Sequence, residues 1–456
     1  MKKIFAIFIA KQAAFWSRIF GRGGGGALPG LLALKINPEI VKELTTNLDK
    51  GVILVTGTNG KTTTSKMIVE ILKASGLKVL SNSGGSNLTR GIASELALKS
   101  SIFGNIKDEI GVYEVDEATM PEVMRFVKPK AIVITNIFRD QLDRYGEVDK
   151  TAAILKKSIQ DSPESTLILN ADDPIVASLG KDRENTLYFG ITDERLEAKS
   201  DLAIDIKDCL ICGHELVYPH RYYGHIGQYV CENCGFVRPK TKITAKNVRL
   251  SPDNTAATIT VDKESENLSL PMTGLYSLYN ALAAISTGDF MKVDHKTILK
   301  ALGKLTPAFG RMETFEVNGK KAVIHLVKNP TGFNQVLEAI TQNRKNKTAL
   351  IALNDNFADG TDISWIWDVE FELFKAGFRK IIVSGIRSED LRLRLKYANI
   401  TSRIIETEKD LKKALDTAVS ETDVSETLYI LPTYTAMLDI RNNLVQKGIL
   451  KDYWTK

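Results

Sequence analysis

A strand, a glycine-rich loop and a helix follow one another near the start of the chain, and this order limits the possible folds more than any other feature. Residues 52–55 (VILV) predict a buried strand, residues 56–63 (TGTNGKTT) the loop and residues 63–75 a helix. The order brings backbone N–H groups and a helix N-terminus together, as the binding of a phosphate group requires. We therefore expect an α/β fold with a nucleotide site at the end of this strand.

Each residue type in the loop suits a nucleoside triphosphate. Glycines let the backbone approach phosphate, Lys61 can neutralise the β- and γ-phosphates and Thr62 can ligate Mg²⁺. A general P-loop would have glycine where Val55 stands, so this loop is a shorter variant of that pattern. Lys61 is predicted to be catalytic, and the loop residues predicted to bind ATP are Gly57, Thr58, Asn59, Gly60, Lys61, Thr62 and Thr63.

Short β-rich runs separated by helical segments continue along the chain in two series, as parallel α/β sheets require. The runs of the first series are residues 79–80, 110–113, 131–134 and 166–169, and those of the second are residues 322–324, 349–353, 381–383 and 428–431. A chain of 456 residues is also too long for one ordinary core. We predict an N-terminal segment of residues 1–50, a central ATP-binding domain of residues 51–305 with an insert at 205–240, and a C-terminal Rossmann-like α/β domain of residues 306–456.

The N-terminal segment begins with an apolar run, residues 4–10, between Lys3 and Lys11. It imitates the start of a signal peptide, but the run ends too early. A basic amphipathic helix over residues 1–20 is the better interpretation; it would either lie on an anionic membrane surface or pack on its own domain. Residues 27–30 (ALPG) predict a turn, and residues 38–50 a helix. We expect a cytoplasmic protein, peripheral to the inner face of the membrane if this helix binds lipid.

The overall charge identifies no partner. Lys and Arg number 61 against 55 Asp and Glu, a net charge of +6, which is too small an excess for a nucleic-acid-binding protein of this size. No nucleic-acid partner is therefore expected.

The cysteines form two C-x₂-C pairs, Cys209 with Cys212 and Cys231 with Cys234, separated by 18 residues. This spacing is typical of a tetrahedral Cys₄ zinc ribbon, and Gly213 follows the first pair as a tight turn requires. Four thiolates leave no open position for water, so this Zn²⁺ should stabilise the insert without taking part in chemistry. Two disulfides are the alternative, which a cytosolic protein disfavours.

The short loop form resembles the loop of Mur ligases and folylpolyglutamate synthases, and other strings extend the resemblance to Mur ligases over most of the chain. By position, the resemblance implies that Glu114 is catalytic and ligates Mg²⁺, that Asn280 lies near the nucleotide and that Arg311 reaches ATP. The strings that carry it are residues 113–118 (YEVDEA), 135–143 (TNIFRDQLD), 169–174 (LNADDP), 279–284 (YNALAA) and 309–313 (FGRME).

Two departures from the Mur pattern concern the metal site. Gln141 stands where the family commonly has a metal-binding histidine, and an amide is a weaker ligand. Where many members carry a carbamylated lysine, Lys156 and Lys157 are displaced, so we do not expect that modification. Both departures indicate a specialised branch of the family.

The N-terminal segment, the zinc ribbon and residues 353–368 (LNDNFADGTDISWIWD) most closely resemble the MurT branch. That resemblance implies amidation of D-glutamate in the lipid II stem peptide to D-isoglutamine, through an acyl phosphate. Two alternatives stay open at this point. One is another Mur-type ligase, such as a folylpolyglutamate synthase, and the other is a zinc-ribbon NTPase that acts on nucleic acid.

Releasing ammonia from glutamine usually takes a cysteine nucleophile with a histidine base. All four cysteines belong to the predicted zinc ribbon, so we expect a separate glutaminase subunit in a heterodimer, and the resemblance implies the GatD type. A partner that lacks the carboxylate of a catalytic triad could borrow one from this chain. Asp355, Asp359 and Asp362 follow a predicted strand end, and we assign the role to Asp355, the closest to it. In the alternative interpretation these aspartates only cap a helix.

Overall fold

Two β-sheets organise the chain. The computed structural model describes residues 1–19, 27–82, 86–140, 148–198, 205–251, 253–305, 311–342 and 346–451. Within them the first sheet has nine strands in the order β11-β10-β9-β6-β5-β4-β1-β3-β2, and the second has six in the order β12-β13-β17-β14-β15-β16.

In the first sheet, the neighbouring strands β2, β3, β1, β4, β5, β6 and β9 are parallel to one another. Strands β10 and β11 extend this sheet as antiparallel strands. Its buried strands are apolar on both faces because helices cover each side. The strands are β1 (Val52–Thr56), β2 (Val79–Ser81), β3 (Ile110–Glu114), β4 (Ala131–Ile134), β5 (Thr166–Asn170), β6 (Thr186–Ile191), β9 (Ile243–Leu250), β10 (Thr255–Val261) and β11 (Glu264–Leu270).

Ten described helices precede or surround this sheet. They are α1 (Lys2–Ile19), α2 (Leu28–Ile36), α3 (Ile40–Thr45), α4 (Lys61–Ala74), α5 (Thr89–Lys99), α6 (Met120–Phe126), α7 (Val148–Gln160), α8 (Pro174–Leu179), α9 (Leu275–Phe290) and α10 (His295–Gly303). A short 3₁₀ helix, Glu117–Thr119, precedes α6.

The second sheet is parallel except for the antiparallel pair of β12 and β13. Its strands are β12 (Arg311–Val317), β13 (Lys320–His325), β14 (Lys347–Ala352), β15 (Phe378–Ser384), β16 (Ile405–Thr407) and β17 (Thr427–Pro432). Its helices are α11 (Pro330–Thr341), α12 (Ser388–Tyr397), α13 (Leu411–Glu421) and α14 (Tyr434–Gln446), with 3₁₀ helices at Ser364–Asp368, Phe371–Lys375 and Ser402–Ile404. Helices α11 and α12 pack in one core, and α13 and α14 pack in the core on the opposite face.

The cysteine-containing insert is a hairpin of β7 (Val217–Tyr223) and β8 (Ile226–Val230). Arg238, just beyond the hairpin, pairs with the buried carboxylate of Asp172 at the end of β5. Tyr222 donates from its hydroxyl to the carbonyl of Ile191 at 2.9 Å. These contacts join the insert firmly to the first sheet.

The prediction of a turn at residues 27–30 is wrong, because these residues lead into and begin α2. Pro29 occupies the second helical position, where its missing N–H removes no helical hydrogen bond. Gly30 is needed for packing: a Cβ atom there would lie 1.9 Å from the carbonyl oxygen of Arg90 in α5. The helix expected over residues 38–50 is present only as the shorter α3. The other predicted runs are strands or helices in the structure.

The N-terminal residues form α1, which lies against α2 and α5. Ala6, Ile7 and Ala10 are fully buried on the face that packs on the domain. Of the described helices, none combines the length and apolar character that crossing a bilayer takes.

Candidate functional site

The loop between β1 and α4 requires glycine at two positions. Gly57 and Gly60 have φ values of 122° and 88°, which other residues rarely adopt. A Cβ atom at Gly57 would lie 2.3 Å from Oγ1 of Thr135, and one at Gly60 would lie 2.1 Å from Oδ1 of Asn280. The loop therefore keeps its shape only with these two glycines, and it opens onto the first turn of α4, whose N–H groups have no helical acceptor.

The segment that follows β4 holds the loop from one side. The backbone N–H of Thr58 donates to the carbonyl of Asn136 at 2.8 Å, and that of Asn59 donates to Oδ1 of Asn136 at 2.9 Å. The hydroxyl of Thr135 donates to the carbonyl of Asn59 at 2.8 Å. Residues 135–136, which carry part of the Mur resemblance, thus fix the loop conformation.

Lys61 is buried, and its ammonium group lies between loop carbonyls and a carboxylate. Nζ is 2.7 Å from the carbonyl of Gly57 and 3.1 Å from Oε2 of Glu117. Desolvation is the largest influence on the Lys61 pKa and lowers it, but Glu117, Asp116, Glu114 and Asp140 together raise that pKa above its ordinary value. The cation is therefore held charged at the loop.

Glu117 was not predicted as a site residue. It begins the 3₁₀ helix after β3, and this turn directs its buried side chain toward Lys61. Glu114, the predicted magnesium ligand, ends β3, and its backbone N–H donates to Oδ1 of Asn82 at 2.9 Å. Glu114 acts on Lys61 through its charge, so the structure brings both carboxylates to the loop.

The structure describes some of the other residues that we predicted to bind the nucleotide, but not all of them. Asn280 is buried on α9, and its Oδ1 accepts from the hydroxyl of Thr64 at 3.2 Å, directly beside the loop. Thr62 lies in the first turn of α4, next to Lys61. The backbone of Arg311 begins β12, but its side chain lies outside the described part of the structure. Residues 141–147, which include Gln141 and Asp143, also lie outside the described residues. Lys156 and Lys157 are exposed on α7.

A second carboxylate, with only 9% of its side chain exposed, lies where the two sheets meet. Asp140 accepts from Nζ of Lys328 at 2.5 Å and from Nδ2 of Asn329 at 3.2 Å, both residues lying between β13 and α11. Burial is the largest influence on the Asp140 pKa and raises it, yet Lys328, Lys61 and the Asn329 hydrogen bond bring that pKa below its ordinary value. Asp140 is therefore an anion with cations on both sides.

A cleft opens between the loop and the second sheet. Its polar wall includes Asn59, Asn136 and Lys328, and its apolar wall includes Phe138 and Tyr223. The rings of the last two stack with centroids 6.0 Å apart and an interplanar angle of 25°. This mixture of polar and apolar walls suits a ligand that has a phosphate end and a flat apolar end.

The four cysteines come together as the spacing predicts. All four Sγ atoms lie within 4.8 Å of one another, with Cys209 to Cys234 at 3.6 Å and Cys212 to Cys231 at 3.5 Å. A tetrahedral Zn²⁺ with Zn–S bonds of about 2.3 Å would hold its sulfurs about 3.8 Å apart, so the residues fit this ion. The cysteines are free thiols in the structure, which contradicts the disulfide alternative.

The three aspartates after β14 have different surroundings. Asp359 is buried and accepts from the backbone N–H of Thr435 at 2.8 Å, in the first turn of α14, and Asp362 accepts from that of Ser364 at 2.8 Å. Asp355 instead accepts from Nε of Arg387 at 2.7 Å, and its side chain is partly accessible. Helix capping thus accounts for Asp359 and Asp362 but not for Asp355.

Asp355 also lies at a distinctive place in the second sheet. The chain leaves β14 toward the face with α12, whereas it leaves the adjacent β17 toward the face with α14. Such a reversal opens a crevice at the carboxyl ends of the two strands, where α/β proteins commonly bind ligands. Asn354 and Asn356 line a cleft there that is separate from the one beside Lys61.

Comparison with known proteins supports two assignments along the chain. Residues 55–213 match the model of the Mur ligase middle domain, and residues 326–437 match that of the MurT ligase C-terminal family. The second of these matches covers the aspartates after β14.

The sequences of two similar proteins align with nearly the whole chain. The MurT subunit of the glutamine-hydrolysing lipid II isoglutaminyl synthase from Staphylococcus aureus is 35% identical over 445 residues, covering 97% of this chain and 98% of its own. The subunit of the same name from Streptococcus pneumoniae is 35% identical, covering 94% of each chain. Among solved structures, a pseudomurein peptide ligase type C from Methanothermus fervidus superposes with a TM-score of 0.71 at 24% identity, covering 92% of this chain and 84% of its own. The fold is that of the Mur ligases.

Proposed function

Because the chain belongs to the family of MurT subunits of lipid II isoglutaminyl synthase, we propose that it catalyses the ATP-dependent amidation of D-glutamate in the lipid II stem peptide. The product is D-isoglutamine, and the carboxyl group is activated as an acyl phosphate before ammonia attacks it. The observation that carries this proposal is the cleft in which the Lys61 loop faces Lys328 and Asn329 from the second sheet.

The residues of the loop suit the phosphate end of ATP. Gly57 and Gly60 give the loop its conformation, the first turn of α4 offers N–H groups, and Lys61 keeps a positive charge in place. ATP would supply the phosphoryl group, and Mg²⁺ would offset the negative charge that develops on it. Thr62 and Glu114 are proposed to hold Mg²⁺, and Glu117 orients Lys61 through its carboxylate.

Other predicted residues are proposed to hold the rest of the nucleotide. Asn280 lies beside the loop and lines the cleft, while Phe138 and Tyr223 supply flat apolar surface on its other side. Arg311 keeps its proposed role toward ATP. The four cysteines hold a structural Zn²⁺ that stabilises the insert from which Tyr223 comes.

A glutaminase subunit of the GatD type, in a heterodimer with this chain, is proposed to supply ammonia. All four cysteines of the sequence lie in the zinc cluster, which leaves no thiol for glutamine hydrolysis. Asp355 is accessible at the crevice of the second sheet, so it could orient a histidine of that partner.

The test is to incubate the purified chain with lipid II, ATP and isotopically labelled ammonium, and to determine the mass and position of the modification. We expect a primary amide on D-glutamate and one ADP for each amide formed. The variant Lys61→Ala should form none, while Lys73→Ala, at the exposed far end of the same helix, should retain activity. Transfer of an amino acid in place of ammonia would favour another Mur-type ligase, and ATP hydrolysis that depends on nucleic acid would favour the NTPase alternative.

A further inference from the structure

Helix α1 has an apolar face that the domain does not cover. Ala6, Ile7 and Ala10 are fully buried, yet large apolar residues on the opposite side of the helix are exposed to solvent. The exposed residues are Ile4, Phe5, Phe8, Phe15, Trp16 and Ile19, with exposures from 38% to 56%. A globular domain rarely exposes so many large apolar side chains in one place.

These residues form one continuous stripe. With about 100° of rotation per residue, positions 4, 5, 8, 15, 16 and 19 fall within an arc of about 120°. Gln12 is the exposed polar residue that falls within the same arc. The stripe runs along all five turns of α1, so it is a surface and not a local defect of packing.

Neighbouring elements add to the exposed apolar surface. Leu28 and Leu31 are exposed one turn apart on α2, which packs along α1. Phe103 is 71% exposed in the turn after α5, and this turn lies against the start of α1, because a Cβ atom at Gly104 would be 3.0 Å from Cε of Lys3. On the helical projection position 3 lies opposite the stripe, so Phe103 is a separate exposed apolar residue and not part of the stripe.

The charge around this face has one sign. Residues 1–38 contain six basic residues and no Asp or Glu; the basic residues are Lys2, Lys3, Lys11, Arg18, Arg22 and Lys35. On the helical projection, position 2 flanks one edge of the stripe and position 11 the other, where the Lys11 ammonium also donates to the carbonyl of Leu98 at 2.8 Å. An exposed apolar stripe with basic edges is complementary to a bilayer with anionic headgroups, and aromatic residues such as Trp16 favour the headgroup boundary.

We propose that the exposed face of α1 docks the protein on an anionic membrane surface. The helix lies in the plane of the membrane, with its stripe about 5–10 Å into the boundary between headgroups and acyl chains. The buried face of α1 fixes its orientation relative to the first sheet, so docking holds the whole ligase at the bilayer. The inference goes beyond the proposed reaction, and it does not depend on that reaction.

The test uses the full chain, without ATP or lipid II, and sedimentation with vesicles of phosphatidylcholine alone or mixed with phosphatidylglycerol. We expect binding to the mixed vesicles that weakens as salt increases. The double variant Phe8→Ser with Trp16→Ser should reduce binding about tenfold or more, because it removes two anchors. Val424→Ser is the matched control, since Val424 is 73% exposed in the second domain, and it should bind as the unmodified chain does.

Two further measurements separate docking from other outcomes. Bromine-labelled acyl chains should quench the part of the tryptophan fluorescence that comes from Trp16, and this quenching should be absent in the single variant Trp16→Phe. Thermal unfolding should show that each variant is folded. The proposal is overturned if the folded chain ignores anionic vesicles, or if the double variant binds as well as the control. It is also overturned if the double variant only converts a dimer into a monomer, since a second copy would then cover this face. Because ATP turnover is not measured, failure of docking and failure of the proposed reaction remain distinguishable.

Discussion

Asn329 donates from Nδ2 to Oδ1 of Asn59 at 3.0 Å, joining the second sheet domain to the loop beside Lys61. The same side chain accepts from the backbone N–H of Gly332 at 2.8 Å and so caps α11. Arg139 and Asp368 form an ion pair across the same boundary. The loop therefore depends on the second domain for part of its contacts.

We predict that Asn329→Ser raises the KM for ATP about three- to tenfold, because serine still caps the helix but is too short to reach Asn59 and Asp140. Steady-state ATP kinetics provide the measurement. Asp410→Ala is the control: it removes the cap of α13, far along the same domain, and should lower stability by about 1 kcal/mol with no change in KM. Equal KM values for both variants would show that the contacts of Asn329 with Asn59 and Asp140 do not affect ATP binding.

His325 leads to a prediction about pH. It is buried at the end of β13 and lines the cleft, and burial lowers its pKa to about 4. The folded protein therefore keeps His325 neutral between pH 6.5 and 4, whereas the unfolded chain takes up a proton there. Stability attributable to this residue should fall as pH decreases through that window, by at most about 3 kcal/mol.

Urea unfolding of the unmodified chain and of His325→Phe, at pH 7 and pH 5, tests this prediction. The unmodified chain should lose more stability between the two pH values than the variant, because phenylalanine has no proton to bind. If both lose the same amount, His325 is protonated in the folded protein as easily as in the unfolded one.

The central parallel strands of both sheets were predictable because each is a short apolar run between helical segments. Strands such as β11, β12 and β16 carry many polar residues and were not predicted. Gly57 and Gly60 were recognisable for the same local reason, since their conformations are set by the turn they form. The four cysteines were equally clear from spacing alone. The strands, the loop glycines and the cysteine pairs could be recognised because residues close to them in sequence determine their structure.

The residues that sequence did not reveal depend on distant contacts. Glu117 and Glu114 lie in one short string, and only the 3₁₀ turn shows that Glu117 pairs with Lys61. Lys328 and Asn329 reach the loop because the two sheets are packed together, across as many as 270 positions of sequence. Gly30 was interpreted as part of a turn because its close contact with α5 has no local signature.

We expect the cysteine cluster and the cleft beside the Lys61 loop to be coupled. Tyr223 ends β7 of the cysteine-containing insert and stacks on Phe138 in the wall of the cleft. We predict about one Zn²⁺ per chain by metal analysis, and loss of that ion in Cys231→Ser together with weaker ATP binding. Tyr223→Ala should weaken ATP binding with the zinc content unchanged. If loss of the ion leaves ATP affinity as it was, the insert does not position this wall.

Asp355 leads to the prediction that bears on the partner. Its carboxylate is held by Arg387 at the crevice between β14 and β17, and its neighbours Asp359 and Asp362 are already used by backbone N–H groups. If it orients a histidine of the glutaminase, Asp355→Asn should suppress amidation with glutamine by about a hundredfold or more and spare amidation with free ammonium. The control Asp362→Asn changes a partly exposed aspartate of the same loop and should spare both.

The measurement is amide formation by the complex with each nitrogen source, after size-exclusion chromatography has shown that each variant still binds the partner. The two nitrogen sources locate the role of Asp355. Loss with both sources in an intact complex would assign Asp355 to the ligase reaction, and no loss with either would remove it from the mechanism. Loss with glutamine alone would show that the Asp355 carboxylate acts in glutamine hydrolysis by the partner, because free ammonium does not need that hydrolysis to reach the ligase site.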